Sequence, residues 1–494
     1  MARPIFSGTL WIWILRNMKL PRRLPVKYAV FLASAVAFNV KGAGLIENDR
    51  QLRDDLAWLA GRHLIALSLS TWPLSESEIS RAMAARHDVR DPVSEQVVRR
   101  VQTRLAQIKT LIALSGDVAT DRDPLPQGTG NAQRAEQSLS TTLNSNGEFW
   151  DVTLQGNVEG TQWVSDASHL NPNGSYAAVR VANQWLSFGE IPQWWGPGND
   201  ASLIRSDSAR PVVGFMLQRD EQRPVDIPWL SGLGSWQYQL FAGQLRQYDH
   251  PEQPKLFGGR LTVAPGDAFE VGFSRLMLWG GRGRPQTLTA FRDGVLGRDN
   301  TGSQKRDPGD QLGGIDLRIP LGEMPIALYG QVIGDDEAGF LPSHNAWLGG
   351  IEGHNAWDGV VINGYLEVAD TRSKMKETGI MYYHYCYHGG LYQQGWPLAD
   401  AMGGDGTQYS ARLETVLEND QRLSLRGIIA RVNRTSQPFN LAYPKSDTLK
   451  GVEGTWTLPV NGGMTLSPGV WFSHRSQGGE DAGLRVQFSL HSAP

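Results

Sequence analysis

The chain has a single cysteine, Cys386, so no internal disulfide can form and the fold must hold by other means. It also lacks long apolar runs. After residue 45 nothing approaches the roughly 20 residues that a membrane helix needs, and mean hydropathy is −0.34. That excludes a helical membrane protein but not a β-barrel, whose alternating strands halve its apparent hydrophobicity. Net charge is only −3 over 494 residues and gives no sign of a nucleic-acid partner. Catalytic signatures are missing too: there is no nucleophile elbow, HExxH, P-loop or CxxC, and no spacing of Asp, His and Ser picks out a triad. Neither catalytic residues nor a cofactor is expected.

What the chain has in quantity is glycine, 56 residues, and tryptophan, 17. Glycine suits tight turns and tryptophan suits the interfacial girdles of membrane proteins. The N-terminus has the form of a secretory signal: Lys19, Arg22, Arg23 and Lys27 precede the short apolar segment Tyr28–Val36. Residues 1–43 are assigned to this region, with Met18 the expected true start. Cleavage after Ala37 or after Ala43 is left open by the spacing. No cysteine lies there to carry a lipid anchor.

Residues 44–115 are helical in pattern. Asn48 or Asp49 can cap a first helix with Leu52, Leu56 and Leu59 on one face. Ser75-x-x-Glu78 reads as a capping box opening a second helix through about Arg86. Asp91-Pro92 starts a third, with Val97, Val101, Leu105, Ile108 and Leu111 at helical spacing. Three short helices make a marginal core alone, so they are expected to pack on the end of something larger. Residues 116–137 read as a linker or first strand.

From 138 to 490 the period is two. In Phe149–Gly160, Trp150, Val152, Leu154, Gly156 and Val158 share one face, and Asp151, Thr153, Gln155, Asn157 and Glu159 the other. The pattern recurs around Tyr238, Val271, Leu413, Leu425 and Val452, and last in Leu484–Leu490. In the Leu413 and Leu425 segments the polar face carries charges of both signs, which fits a hydrated lumen better than a dry core. At roughly 20 residues per strand with its connection, the β region holds on the order of 16–20 strands, an even number. The expected fold is therefore mainly β: a transmembrane antiparallel barrel with a small N-terminal helical bundle. Residues 491–494 form a C-terminal extension.

Some motifs carry chemistry in principle. In a strand, His384-x-Cys386-x-His388 sets three soft-metal ligands on one side and Tyr383, Tyr385 and Tyr387 on the other. Three ligands from one strand are rarely enough for a site, so a strand end contributing to the aromatic girdle is preferred and no metal is expected. Asp335-Asp336-Glu337 before Gly339 has the charge of a cation loop without EF-hand spacing and reads as a solvated turn. Trp194-Trp195-Gly196-Pro197-Gly198 can stack on sugar rings, plug the lumen or sit in the membrane interface. A basic stretch contains Arg282, Arg284, Arg292 and Arg298; it can attract an acidic polymer or contact lipopolysaccharide phosphates.

The strings LRDDLAWLA, LSLSTWPLS, WDVTLQGNVEG, NQWLSFGEIPQWWGPG, LWGGRGRPQ, DNTG, GFLPS, LGGIEGH and DAMGGDG are long and specific in tryptophan and glycine. Through them the chain, from about Gly44 to Leu490, resembles the Wzi family of outer-membrane capsule assembly proteins. The resemblance implies an 18-stranded barrel with its helical bundle on the periplasmic side. It also implies a lectin-like, non-enzymatic role in which capsular polysaccharide is bound and organised at the cell surface. Trp194, Trp195, Arg282, Arg284, Arg292 and Arg298 are the candidate polysaccharide-binding residues. The expected partners are that polysaccharide, an acidic one if the basic loop takes part, and outer-membrane lipid or lipopolysaccharide, with the protein a monomer. A polysaccharide exporter or diffusion porin is the alternative, and an outer-membrane enzyme a more distant one. Two departures from the family pattern stand out: His491–Pro494 follow the terminal strand, and the basic loop lies outside the strongest matching strings.

Overall fold

A computed structural model describes residues 44–492 apart from 90, 131–132, 165–167, 226, 228–230, 267, 296–308, 323, 339–340, 374–380, 439 and 461–462, and apart from the side chains of 335–344. The expected signal region, Arg298 and the side chains of Asp335, Asp336 and Glu337 lie outside the described residues.

The barrel opens with β1 (Ile112–Ala119), β2 (Gln137–Asn146), β3 (Trp150–Glu159), β4 (Tyr176–Val181), β5 (Gln184–Gly189) and β6 (Val213–Arg219). It continues through β7 (Ser235–Gln244), β8 (Lys255–Ala264), β9 (Glu270–Trp279), β10 (Gly309–Pro320), β11 (Ile326–Ala338) and β12 (Leu341–Trp357). It ends with β13 (Val360–Asp370), β14 (Thr407–Val416), β15 (Arg422–Val432), β16 (Asp447–Val460), β17 (Met464–Arg475) and β18 (Gly479–His491). Each pairs antiparallel with its neighbours, and β18 closes on β1 with Leu490 opposite Leu114. Leu170–Asn171 pairs with β3 ahead of β4, so the two pieces occupy one position of an 18-strand ring. The barrel thus starts at Ile112, not at 138, because residues 112–119 complete the ring beside the last strand.

The strand faces are inverted relative to a water-soluble protein. Leu154, Leu413, Leu425 and Ile429 are each about half exposed, at 54%, 52%, 59% and 48%, on the outside. Asp151, Asn157 and Glu159 are buried inside. Apolar side chains outward and polar ones inward are stable only where the outside is hydrocarbon.

The two ends differ. At one, strands are joined by tight connections such as 147–149, 182–183, 358–359 and 461–463. At the other, the connections 120–136, 190–212, 280–308 and 371–406 are long. The short-turn end of such a barrel faces the periplasm and the long loops face outward.

Helices α1 (Arg50–Gly61), α2 (Glu76–Ala84) and α3 (Pro92–Ile108) close the short-turn end. Trp58 Nε1 donates to Asn355 O (3.3 Å) and Gln96 Nε2 to Glu418 O (2.7 Å) at its turns. Asp49 caps α1 through Leu52 N (2.8 Å) and Asp91 caps α3 through Ser94 N (2.8 Å), with Pro92 in the first turn. The capping box expected at Ser75 does not form. The Ser75 hydroxyl donates to Asp220 instead, Glu78 takes a bidentate hold on Arg81, and α2 stops at Ala84. Leu52, Leu56 and Leu59 pack with Val97, Val101 and Leu105 into a second core, which Trp194 and the wall residues Val361 and Val416 complete. Leu111 falls beyond α3 and is exposed.

Candidate functional site

The lumen is not an open bore. The 190–212 connection folds into it, and its Ile191, Trp194, Trp195, Leu203 and Ile204 are all buried. The wall holds this loop by polar contacts. Glu367 accepts N–H bonds from Asn199 (2.7 Å) and Ala201 (2.8 Å), and Gln331 accepts one from Leu203 (2.8 Å). Asp200 meets the Arg426 guanidinium (2.8 Å), the Tyr365 hydroxyl (2.7 Å) and the Gln408 amide (2.8 Å). From below, Arg53 of α1 donates to Gly198 O (2.7 Å). These bonds satisfy a backbone that crosses the barrel without a ladder of its own.

Trp194 and Trp195 sit at the centre of that plug, 1% and 0% exposed. They form a two-residue antiparallel pairing with Thr71–Trp72 of the helical segment, tying the plug loop to the bundle. Arg53 lies 5.5 Å from the Trp194 ring centroid. The Trp195 ring fits because Gly258 faces it: a Cβ there would fall 2.6 Å from Trp195 Cη2. Of the roles open to the pair, the structure realises the plug. Neither ring has a face free for a sugar, so Trp194 and Trp195 are not surface contacts.

The bundle is fixed to the wall by buried charges. Asp54 pairs with Arg412 (2.7 Å), while Asp55 pairs with both Arg100 (2.9 Å) and Arg422. Glu414 bridges Arg412 and Arg422, at 3.0 Å from the latter. Such a network can replace the lost hydration only if every member is bonded, which the bidentate geometry of arginine allows.

The 371–406 loop completes the plug, with the Tyr382 hydroxyl on Leu203 O (2.6 Å) and that of Tyr387 on Gly280 O (3.2 Å). His384, Cys386 and His388 are therefore not on a strand. Tyr382 has a φ of 65° and the chain turns repeatedly, so the alternation is lost. His384 and Cys386 are buried, and of the tyrosines expected at the girdle Tyr387 fills the plug, beside Tyr382, while Tyr385 is exposed. Among the described residues no cluster of three metal-ligating side chains occurs.

The basic residues divide. Arg282 is exposed and pairs with Glu252 (2.7 Å) at the loop end. Arg284 lies 5.9 Å from the Tyr387 ring centroid, over the plug. Arg292 belongs to α4 (Leu288–Val295), which lies against the outside of the wall. There Phe291 packs edge-on against Phe257 and Trp279, with centroids at 4.8 and 5.5 Å. The outward Arg275 donates to Val295 O (2.6 Å) at the carbonyl end of α4.

One group was not legible beforehand. Arg122, Trp163, Trp396 and Tyr443 come from four different outer loops and meet over the plug. The Arg122 guanidinium carbon is 6.0, 5.6 and 6.0 Å from the three ring centroids, and Arg134 is 5.0 Å from that of Trp396. The indole N–H groups of Trp163 and Trp396 have no hydrogen-bond partner among the described residues. Those N–H groups are buried, so what the cluster offers a hydroxyl-rich, partly acidic chain is aromatic surface beside arginines. The residues are separated by up to 321 positions, so no local motif announces them.

A closed barrel with lipid-facing apolar walls, a plugged lumen and elaborate outer loops defines an outer-membrane β-barrel protein specialised at its surface. The chain belongs to the family of the capsule assembly protein Wzi, whose family model matches residues 113–487. It is similar to the solved structure of Wzi, an outer membrane protein involved in group 1 capsule assembly in Escherichia coli and described as a carbohydrate-binding β-barrel. That match has 44% identity and a TM-score of 0.86, covering 91% of this chain and 100% of that one. It is also 47% identical over 468 residues to an uncharacterized 55.8 kDa protein in the cps region of Klebsiella pneumoniae, covering 93% of this chain and 92% of that one.

Proposed function

We propose that this protein is a surface lectin of the outer membrane that holds capsular polysaccharide and supports its attachment and assembly, without making or breaking bonds in it. The observation that carries this is the filled lumen: loops from above and helices from below leave no passage for a polymer, so a glycan meets the outer loops. Arg122, Trp163 and Tyr443, backed by the buried Trp396, supply the aromatic floor, and Arg282 and Arg284, on a separate outer loop, supply positive charge for an acidic chain. Arg292 has the alternative partner expected of this loop. Held on the outer wall by α4, Arg292 suits a lipid or lipopolysaccharide phosphate.

The test is binding of the purified barrel to capsules of different chemistry. Retention of high-molecular-weight capsule that rises with its acidity and falls with salt is the expected result; no retention of any capsule refutes the reading. A polysaccharide exporter or porin would show a steady, large conductance in planar bilayers, and turnover of capsule glycan would identify an enzyme.

A further inference from the structure

The plug fills the lumen unevenly. Between the N-terminal segment, the plug loop near 207–211 and the wall of β16–β18 and β1–β3 lies a cavity of ≈ 630 Å³. Its wall is a product of strand register. Thr465 lies opposite Ser489, Ser489 opposite Ser115, Ser115 opposite Ser140, and Ser140 opposite Asn157. These five small polar side chains face inward in one continuous row and all line the cavity. A second row, from Ser467 to Glu159, runs beside it.

The row is oblique to the barrel axis because the strands are tilted. It starts at the second residue of β17, at the short-turn end, and finishes two residues from the loop end of β3. At strand spacings of ~4.8 Å its length is about 20 Å. Spread over that length the cavity averages roughly 30 Å² in section, enough for water, a small ion or one sugar ring but not a polymer coil.

The chemistry along it is neutral and solvating. Seven arginines and seven carboxylates line it, so its formal charge cancels, and most are paired, among them Arg104 with Asp49 (2.6 Å), Arg485 with Asp117 (2.6 Å) and Arg210 with Glu159 (2.7 Å). On the plug side, both side-chain polar atoms of Asn48 and Nη2 of Arg50 have no partner among the described residues. Polar atoms at a cavity require water or a hydroxylated solute.

We infer that this hydroxyl-lined track carries small hydrophilic solutes past the plug: water, monovalent ions and neutral sugars of monosaccharide size. It is an activity separate from glycan binding by the outer loops. The test uses the full mature protein in planar bilayers with potassium chloride and in liposome swelling with arabinose. A steady conductance about tenfold below that of an open porin is expected, together with measurable swelling. Ser115→Cys and Ser140→Cys, modified by a bulky thiol reagent after assembly, should each lower both signals about fivefold or more. Leu114→Cys, on the lipid-facing side of β1, should not, and the buried Cys386 makes the unmutated protein the reagent control. Modification after assembly separates blocking from misfolding. Currents and swelling no greater than in protein-free membranes, or signals indifferent to modification at 115 and 140, overturn the inference. Capsule binding measured on the same preparation tells that failure apart from failure of the lectin reading.

Discussion

Asp55→Ala is the sharpest probe of how the helical bundle is held. The carboxylate is 2% exposed and serves two guanidinium groups at once, Arg100 at 7% and Arg422 at 6%. Removing one member of a buried ionic network costs about 3–5 kcal/mol, because the partners stay buried and unpaired. Here compensation is partial. Arg422 keeps Glu414 at 3.0 Å, while Arg100 keeps only the half-exposed Asp420 at 3.8 Å. The lower end, about 3 kcal/mol, is therefore expected, raising the undocked fraction of the bundle roughly 150-fold. The β14–β15 ladder is untouched, so the barrel itself should keep its heat resistance. Limited proteolysis between α1 and α3, with hydrogen exchange in α1, reads the undocking directly. Raising salt to 1 M should leave the unmutated protein unchanged, since buried pairs are poorly screened. Proteolysis and exchange equal to those of the unmutated protein would refute the assignment of this network as the latch.

Other consequences are open to direct measurement. Gly258→Val should displace the Trp195 ring and cost about 1–3 kcal/mol, seen as a red-shifted, more quenchable tryptophan emission; an unchanged spectrum contradicts the packing described. Trp396→Ala with Tyr443→Ala should weaken capsule binding about tenfold or more while the strand content of the barrel is kept by circular dichroism, and undiminished retention would remove that cluster from the binding surface. Burial pushes the Glu47 and Glu76 carboxyls up from 4.5 to about 7, with Lys109 opposing. A raised carboxyl pKa means the folded state prefers the proton, so this stabilisation is full below 4.5 and is lost as pH rises through about 7. Exchange at Leu45–Ile46 and Leu74–Ser75, corrected for intrinsic rate, should then be faster at pH 8 than at pH 5, and Glu47→Gln should flatten the difference.

The barrel was legible because a period of two survives in any strand with unlike faces, as in Trp150–Glu159. Charges on the polar face of the Leu413 and Leu425 segments indicated which face points inward, and Arg412 and Arg422 prove to be bonded within the lumen. Helix starts at Asp49 and Asp91 were local and readable. The Ser75 capping box was readable too but lost its hydroxyl to Asp220, a tertiary partner 145 residues away. The same limit left the role of Trp194 and Trp195 open. Paired tryptophans look alike whether they meet sugar, lipid or protein, and only the pairing with Thr71–Trp72 decides. Tyr383–Tyr387 alternates on paper, but a loop bonded at both ends to other loops has no strand period to obey. The hydroxyl track is legible only once register sets Ser115 beside Ser489.

The closure of β18 on β1 also orders events during assembly. The plug loop lies between β5 and β6, yet the groups that grip it, Gln331, Glu367 and Arg426, belong to β11, β13 and β15. The bundle likewise precedes β1 but is latched by Arg412 and Arg422, far later in the chain. No finished cylinder could be threaded by segments anchored at both ends of its wall. The interior must be wrapped as the sheet curls, so that sealing the last strand and seating the plug are one cooperative step, and a defect in either should be seen as a failure of insertion.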